Sequence, residues 1–298
     1  MSDFDLPLLL QNGSAILDRN RNFSPIRRKK TAAATTEIVP ISVFLEVRQP
    51  HMRIILILFF ACSLVRADST AELKSALAGL HGRNPVKARV EFQSSGRVSE
   101  VSKLDGDGGK ATALVEDGPY GLSVFWSRAL VEQVAGERKV EARDPDKPSA
   151  AGRAMDELNA SRLNNYLNAA PALLDKLVEA KLIEEAADTR EGQPVRRLTF
   201  KVTPPLNERS RKIIKEIDAT VRVWIGADGL PVAGDSRVRL KGRALLVIAF
   251  ESTETEQFRF QHTGDRLLVV RHIRETDGSG GGESNHQKSV ENLSVVGG

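Results

Sequence analysis

The stretch ATVRVWIGADGLPVAGDSRVRLKGRALLVIAFESTETEQFRFQHTGDRLLVVRHIRET, residues 219–276, decides the fold of this chain. From Thr220 to Ile225, polar and apolar side chains alternate, which is the period-two pattern of a strand with one buried face. Asp228-Gly229 then predicts a two-residue type I′ turn, because Asp and Gly tolerate positive φ angles. A second strand to Leu240 and a turn at Lys241-Gly242 follow. The stretch therefore predicts one continuous antiparallel meander.

The second half of this stretch predicts an apolar strand and a further hairpin. Ala244–Phe250 is apolar at every position, so we expect a strand that is covered on both faces. Gln257–His262 and Leu267–Ile273 then flank a turn at Gly264-Asp265. Counting outward from that turn places six side chains on one face of the hairpin: Phe258, Phe260, His262, Leu267, Val269 and Ile273.

The rest of the chain predicts helices that alternate with further strands. Ser69 is expected to cap a short helix, and Leu73, Leu77 and Leu80 lie on one face of that helix. Four more strands are expected at Val86–Gln93, Ala111–Val115, Leu122–Trp126 and Ser289–Val295, and a hairpin joins Ile183–Thr189 to Val195–Val202. Helices are expected over about 128–142, 150–169 and 171–181, with Ser127 as the cap of the first. Their apolar stripes predict that 155–181 packs against the sheet.

Composition and charge exclude some classes of function. With 298 residues and 41% hydrophobic content, the chain is long and apolar enough to form a sizeable core. The sequence pI is about 9.2, but the whole net charge of +4 lies in the first 67 residues. The remaining residues are balanced in charge, which argues against a nucleic-acid partner.

The residues before position 68 predict export. Met52-Arg53 and the apolar run Ile54–Ala61 are typical of a secretory signal, and Val65-Arg66-Ala67 fits a cleavage site after Ala67. We therefore expect a signal peptide at 52–67, a single domain at 68–298 and a periplasmic location. Residues 1–51 are expected to be either a disordered extension or a segment upstream of the true start. Lipidation of Cys62 is a minor alternative, because two bulky phenylalanines precede it.

Export can be tested directly on the processed protein. If translation starts at Met52, we expect a secreted product whose first residue is Asp68. N-terminal sequencing of the exported protein checks this. Retention of residues 1–51 on the exported chain would contradict it.

No pattern of catalytic or metal-binding residues is convincing. Asp105, Asp107 and Glu116 have the spacing of three calcium ligands, but Lys110 stands where the sharp turn needs Gly, so a hairpin loop is the better interpretation. The glycine run at 278–282 is expected to be a flexible connection. His262 and His272 are expected on opposite faces of their hairpin, as surface or rim residues. We therefore predict no metal, no cofactor and no enzyme activity.

Apolar and aromatic side chains of the strands are the candidates for ligand binding. They are expected either to line an apolar cavity or simply to fill the core. The candidates are Phe92, Trp126, Trp224, Leu246, Ile248, Phe250, Phe258 and Phe260.

The order of these elements resembles a known family of periplasmic half-barrels. A signal, a short amphipathic helix, the long strand VKARVEFQ (86–93), helices inserted at 128–181 and the hairpin VWIGADGLPV (223–232) precede a terminal meander. This architecture is similar to that of the lipoprotein carrier LolA and its LolB, RseB and LppX-type relatives. The longer helical insertion departs from a minimal carrier.

The resemblance implies a fold and a function. The implied fold is α+β, with a curved antiparallel sheet, a half-barrel of about ten or eleven strands, whose concave face is covered by helices. The implied function is non-enzymatic binding or carriage of a lipid or of the acyl chain of a lipoprotein, at most peripheral to a membrane. The alternative is an envelope protein-interaction or stress-sensing module of the same fold.

Overall fold

The computed structural model describes residues 68–98, 108–204, 206–244 and 248–296, and Arg66–Gly298 forms one compact unit. Within these ranges the chain has an α+β fold with six helices and one open, antiparallel sheet of ten strands. The predicted signal peptide, the segment 1–51, Cys62 and the Asp105–Asp107 loop lie outside the described residues. None of the described helices is long and apolar enough to cross a membrane.

The described residues form six helices and ten strands, and most strands pair with their neighbours in sequence. The helices are α1 Asp68–Ala78, α2 Arg128–Glu141, α3 Ala150–Glu157, α4 Ala160–Leu167, α5 Ala169–Leu177 and α6 Glu208–Ile213. The strands are β1 Val86–Val98, β2 Lys110–Gly118, β3 Gly121–Trp126, β4 Lys181–Arg190, β5 Gln193–Lys201, β6 Ile214–Ile225, β7 Pro231–Ala244, β8 Ile248–Thr263, β9 Arg266–Gly280 and β10 Glu283–Val295. Their order in the sheet is β3-β2-β1-β10-β9-β8-β7-β6-β5-β4. The first three strands therefore pair onto the last one, and β3 and β4 form the edges.

The two faces of the sheet differ in chemistry. The inner face carries the alternating apolar side chains of the strands, and the side chains of α1, α3, α4 and α5 pack against it. The outer face carries the polar alternate positions, where ion pairs such as Arg222 with Asp235 and Arg239 with Glu251 link neighbouring strands. The period-two pattern thus separates a core face from a solvated face.

Short polar side chains start four of the helices. The hydroxyls of Ser127 and Ser149 accept from the backbone N–H groups of Leu130 and Gly152 at the starts of α2 and α3. Asn159 and Asn207 cap α4 and α6 in the same way. The predicted cap at Ser127 is confirmed. By contrast, Ser69 lies within α1 and donates to Glu185 of β4.

The prediction of two helices between 150 and 181 is wrong. Three helices occupy this segment, because Asn159 starts a new helix after Leu158 and a further break falls at Asn168 rather than at Pro171. The chain leaves the helical region at Lys181 and enters β4. The predicted hairpin of β4 with β5 is confirmed, with Glu191 and Gly192 both at positive φ in its turn.

The prediction of a turn at Lys241-Gly242 is also wrong. β7 continues through both residues to Ala244, so the connection to β8 falls at 245–247, outside the described residues. Ala244–Phe250 is therefore not a strand covered on both faces, and Ile248 is 39% exposed. The turn after β6 also differs from type I′, because Gly229 has a positive φ and Asp228 does not.

The meander is confirmed in its order, but one β-bulge changes its register. Gly264 and Asp265 form the two-residue turn between β8 and β9, and His262 and Phe260 pair with Leu267 and Val269 as predicted. Val270 is then an extra residue in β9, so Phe258 pairs with His272 instead of sharing its face with Ile273. The bulge therefore turns His272 toward the inner face.

The glycine run at 278–282, which was expected to be a flexible connection, lies largely in strands. β9 extends to Gly280 and β10 starts at Glu283, so only Gly281 and Gly282 turn the chain, both at positive φ.

Candidate functional site

A group of ionisable side chains lies buried at the centre of the inner face. Tyr166 of α4, Glu256 of β8, His272 of β9 and Glu291 of β10 form this group, which we call the His272 cluster. His272 and Glu291 pair across β9 and β10, and Phe258 of β8 pairs with His272 on its other side. The cluster is thus built from three adjacent strands and one helix.

Both nitrogens of the imidazole ring face a carboxylate. His272 is only 4% exposed, and its Nδ1 lies 3.0 Å from the Tyr166 hydroxyl oxygen and 3.1 Å from Glu291 Oε2. On the opposite side, Nε2 lies 3.4 Å from Glu256 Oε1. The last two contacts have ion-pair distances without good hydrogen-bond geometry, so His272 Nε2 and Glu291 Oε2 lack a hydrogen-bond partner. The arrangement suits an imidazolium between two carboxylates.

Further polar groups hold the two carboxylates. Ser236 of β7 donates its hydroxyl to Glu256 Oε2 at 2.9 Å, and Lys176 Nζ of α5 lies 3.5 Å from the same oxygen. On the other side, Arg162 of α4 lies 3.5 Å from Glu291 Oε1 and also pairs with Glu157. Ser289 donates to Glu291 Oε1 at 3.4 Å. Each carboxylate therefore meets one cation from a helix.

The environment shifts the pKa values of His272, Glu256 and Tyr166. Burial opposes the charge of His272, but the carboxylates of Glu256 and Glu291 outweigh it and raise the pKa of His272 above 6.5. Burial also opposes ionisation of Glu256, yet Lys176 and His272 hold the pKa of its carboxyl far below its ordinary range. For Tyr166, burial and then Glu291 raise the pKa of the phenol well above 10. The cluster therefore favours an ionised Glu256 and a charged His272.

Aromatic rings enclose His272 along the sheet. Phe258 stacks on the imidazole at 4.6 Å between ring centroids, and Phe260 stacks on Phe258 at 6.0 Å. Lys176 Nζ lies 5.4 Å from the Phe258 centroid. The imidazole is thus buried with Phe258 on one face, and this low-dielectric environment strengthens the interaction of its charge with the carboxylates.

The geometry of the cluster is poor for a metal ion or for catalysis. The two carboxylates lie on opposite sides of the ring, so they cannot ligate one ion together with His272. No group of three or more His, Cys, Asp or Glu side chains in the described ranges is placed to hold a metal. Since His272 is buried, a substrate would have to displace α4 or α5 to reach it.

The structure brings together only some of the predicted ligand residues. Phe92 is buried on the inner face, and Trp126, Phe258 and Phe260 pack against the same core. Phe250 is half-buried near the start of β8, and Ile248, the first residue of that strand, is exposed. Leu246 lies outside the described residues.

Trp224 lies on the outer face, apart from the other aromatic candidates. Arg190 stacks on its indole at 3.8 Å, Arg222 lies at 5.5 Å, and the indole N–H donates to Asp188 at 2.8 Å. The ring is buried beneath these polar side chains rather than in an apolar space.

A shallow depression marks the outer face beside the bulge. It has a volume of about 420 Å³ and is lined by Arg259, Phe260, Gln261, Val270, Arg271 and Asn292. Arg259 and Arg271 are direct neighbours across β8 and β9, and Arg259 pairs with Glu191 at 2.6 Å. The lining is polar and open to solvent, unlike an acyl-binding cavity.

The His272 cluster was missed from the sequence, although one signal was present. Leu293 of β10 lies two residues after Glu291 and is buried, so the period of two assigns Glu291 to the same buried face. For His272, the expected position on the surface or rim is wrong, because the bulge at Val270 reverses the face of every later residue in β9.

The chain matches no protein-family model, no curated protein and no solved structure.

Proposed function

We propose that the protein is an exported, non-enzymatic module of the bacterial envelope that binds another protein. We also propose that its sheet curls into a half-barrel around the helices, because a twisted sheet of about ten strands rarely stays flat. The export signal in the sequence supports the location. Two features of the described residues support protein binding over acyl carriage.

The main support for this proposal is that side chains of the protein's own helices fill the inner face of the sheet. Leu77, Leu163, Leu167 and Leu177 of the helices are fully buried against strand residues such as Phe200. An acyl chain gains about 0.8 kcal/mol per buried methylene only if it enters an apolar space. Here it would have to displace these side chains and then lie against the charged His272 cluster, which is unfavourable.

The edge strand β3 provides a place for a partner. Its sequence, GLSVFW, has no charged residue, and Phe125 is 50% exposed beside the fully exposed Tyr120 at the preceding turn. An uncharged edge strand is a template for pairing with another strand. We therefore propose that an extended segment of the partner adds to the sheet at β3.

The opposite edge is protected against the same pairing. β4 has the sequence KLIEEAADTR, with charged side chains at half of its ten positions. Charges on an edge strand oppose the approach of another strand, because they must be desolvated. The contrast between the two edges supports β3 as the interaction site.

Crosslinking from β3 tests this proposal. A photoreactive phenylalanine analogue at Ser123 is expected to give a discrete crosslinked adduct in the cells that produce the protein. Adding Phe125→Lys should reduce that adduct at least about tenfold, because a charge on the edge blocks strand addition. Since Phe125 is half-exposed, its replacement should change the free energy of unfolding by only about 0.5 kcal/mol.

The matched control places a lysine on the other edge strand, β4. Thr189→Lys on β4 should leave the adduct at Ser123 unchanged. Persistence of the adduct with Phe125→Lys would exclude strand addition at β3. If no adduct forms and the protein instead binds a fluorescent fatty-acyl probe, the acyl-carrier prediction replaces the interaction module.

A further inference from the structure

We propose that the His272 cluster is a pH-dependent clamp, which holds α4 and α5 on the sheet when His272 is protonated and loosens them when it is neutral. This proposal goes beyond protein binding at β3, because it concerns the inner face of the sheet. It stands on the contacts that tie each helix to the cluster.

Both helices contact the His272 cluster through polar side chains. From α4, Tyr166 contacts His272 Nδ1 and Arg162 lies near Glu291. From α5, Lys176 lies near Glu256. The polar contacts of α4 and α5 with the sheet at the His272 cluster therefore depend on whether positive charges neutralise the two carboxylates.

The charges around the ring come from every neighbouring element. β8 supplies Glu256, β10 supplies Glu291, α5 supplies Lys176 and α4 supplies Arg162. α3 supplies Glu157, which shares Arg162. In addition, β9 supplies Arg274, whose Nη2 pairs with Glu254 of β8 at 3.0 Å, and β7 supplies only the neutral Ser236.

Loss of the proton from His272 leaves this set unbalanced. Lys176 is half-exposed and Arg162 is shared with Glu157, so neither cation fully replaces a charge between Glu256 and Glu291. Two carboxylates would then face a neutral ring, one of them, Glu291, almost completely buried. Buried charges without a partner are costly, and opening of α4 and α5 relieves that cost by admitting water.

The direction of the pH effect follows from the raised pKa of His272. In the unfolded chain, or with the helices open, the imidazole titrates near its ordinary value of about 6.5. In the closed state its pKa lies above that value. The stabilisation is therefore fully present below about pH 6.5 and is lost as the pH rises through the closed-state pKa.

Hydrogen exchange measures this opening locally. Backbone amides of 160–177 should lose about tenfold in protection between about pH 6 and pH 8.5, after correction for the intrinsic rates. Amides of α2, which has no side chain in the cluster, provide the internal control and should keep their protection. The full chain without its signal peptide is used throughout.

Two variants separate the clamp from a merely structural histidine. His272→Gln should give weaker protection of 160–177 that no longer depends on pH. Glu291→Gln keeps the histidine but removes one carboxylate, so it should move the loss of protection to lower pH. If His272→Gln fails to fold, Glu291→Gln and the NMR titration of the wild-type imidazole still test the clamp. A ring that titrates at or below about pH 6.5, or protection of α4 and α5 that follows α2 at every pH, would overturn the proposal.

Discussion

Replacing Leu167 by Asp is expected to lower the free energy of unfolding by about 3–5 kcal/mol, because it places an unpaired carboxylate in the apolar core. Leu167 ends α4 and is completely buried, among side chains of both the helices and the sheet. Urea denaturation followed by circular dichroism measures the change. The effect should exceed that of Leu167→Ala, which leaves a cavity without adding a charge.

The same change at an exposed position is the control. Val178 follows α5 and is 68% exposed, so Val178→Asp should shift the free energy of unfolding by no more than about 0.5 kcal/mol. Equal denaturation midpoints for the two variants would mean that α4 does not dock on the sheet. In that case the occupied inner face, and with it the argument against acyl carriage, would fail.

Much of the sheet could be predicted because its local signals agree with one another. The alternation in β1 and β6 and the two-residue turn at Gly264-Asp265 each fix a face or a register without knowledge of distant residues. The predicted faces of β9 are wrong beyond Val270, because the bulge there reverses the face of every later residue. The amino-acid composition of the strand gives no sign of this bulge. The turn predicted at Lys241-Gly242 was also misplaced, because β7 continues through both residues to Ala244.

The helices show the same limit. The apolar stripe between 155 and 181 predicted docking against the core, and Leu163, Leu167 and Leu177 are indeed buried. The breaks at Leu158 and Asn168 were missed, because the stripe continues across them. Asn159 carried the missing signal, since asparagine is a preferred N-cap.

The candidate site was the least predictable part of the molecule. A buried charged residue is stable only beside suitable partners, and these partners can be distant in sequence. Tyr166, for example, lies more than a hundred residues before His272. A histidine or a glutamate in a strand otherwise indicates a solvated face. Sequence periodicity therefore finds the core but not the ionisable groups placed inside it.

Replacing Arg266 by Met is expected to destabilise the protein by about 3–5 kcal/mol, because Arg266 is a buried cation that joins three separate parts of the chain. It is only 2% exposed, and its Nη1 lies 2.8 Å from Asp117 Oδ2 of β2. Its Nε donates to the Asn84 carbonyl at 2.5 Å, and Nη1 donates to the Leu167 carbonyl at 3.3 Å. Met has a similar length but leaves the carboxylate and both carbonyls without a donor.

A double-mutant cycle distinguishes this ion pair from simple packing. Asp117→Asn alone removes the carboxylate that pairs with the buried guanidinium, so it should also destabilise the fold. The double variant removes both charges, and it should therefore cost less than the sum of the two single changes. As a surface control, Arg259→Met breaks the exposed pair with Glu191 and should cost no more than about 1 kcal/mol. Additive effects at positions 266 and 117 would mean that the packing of the arginine stem, rather than its charge, joins β2, β9 and α4.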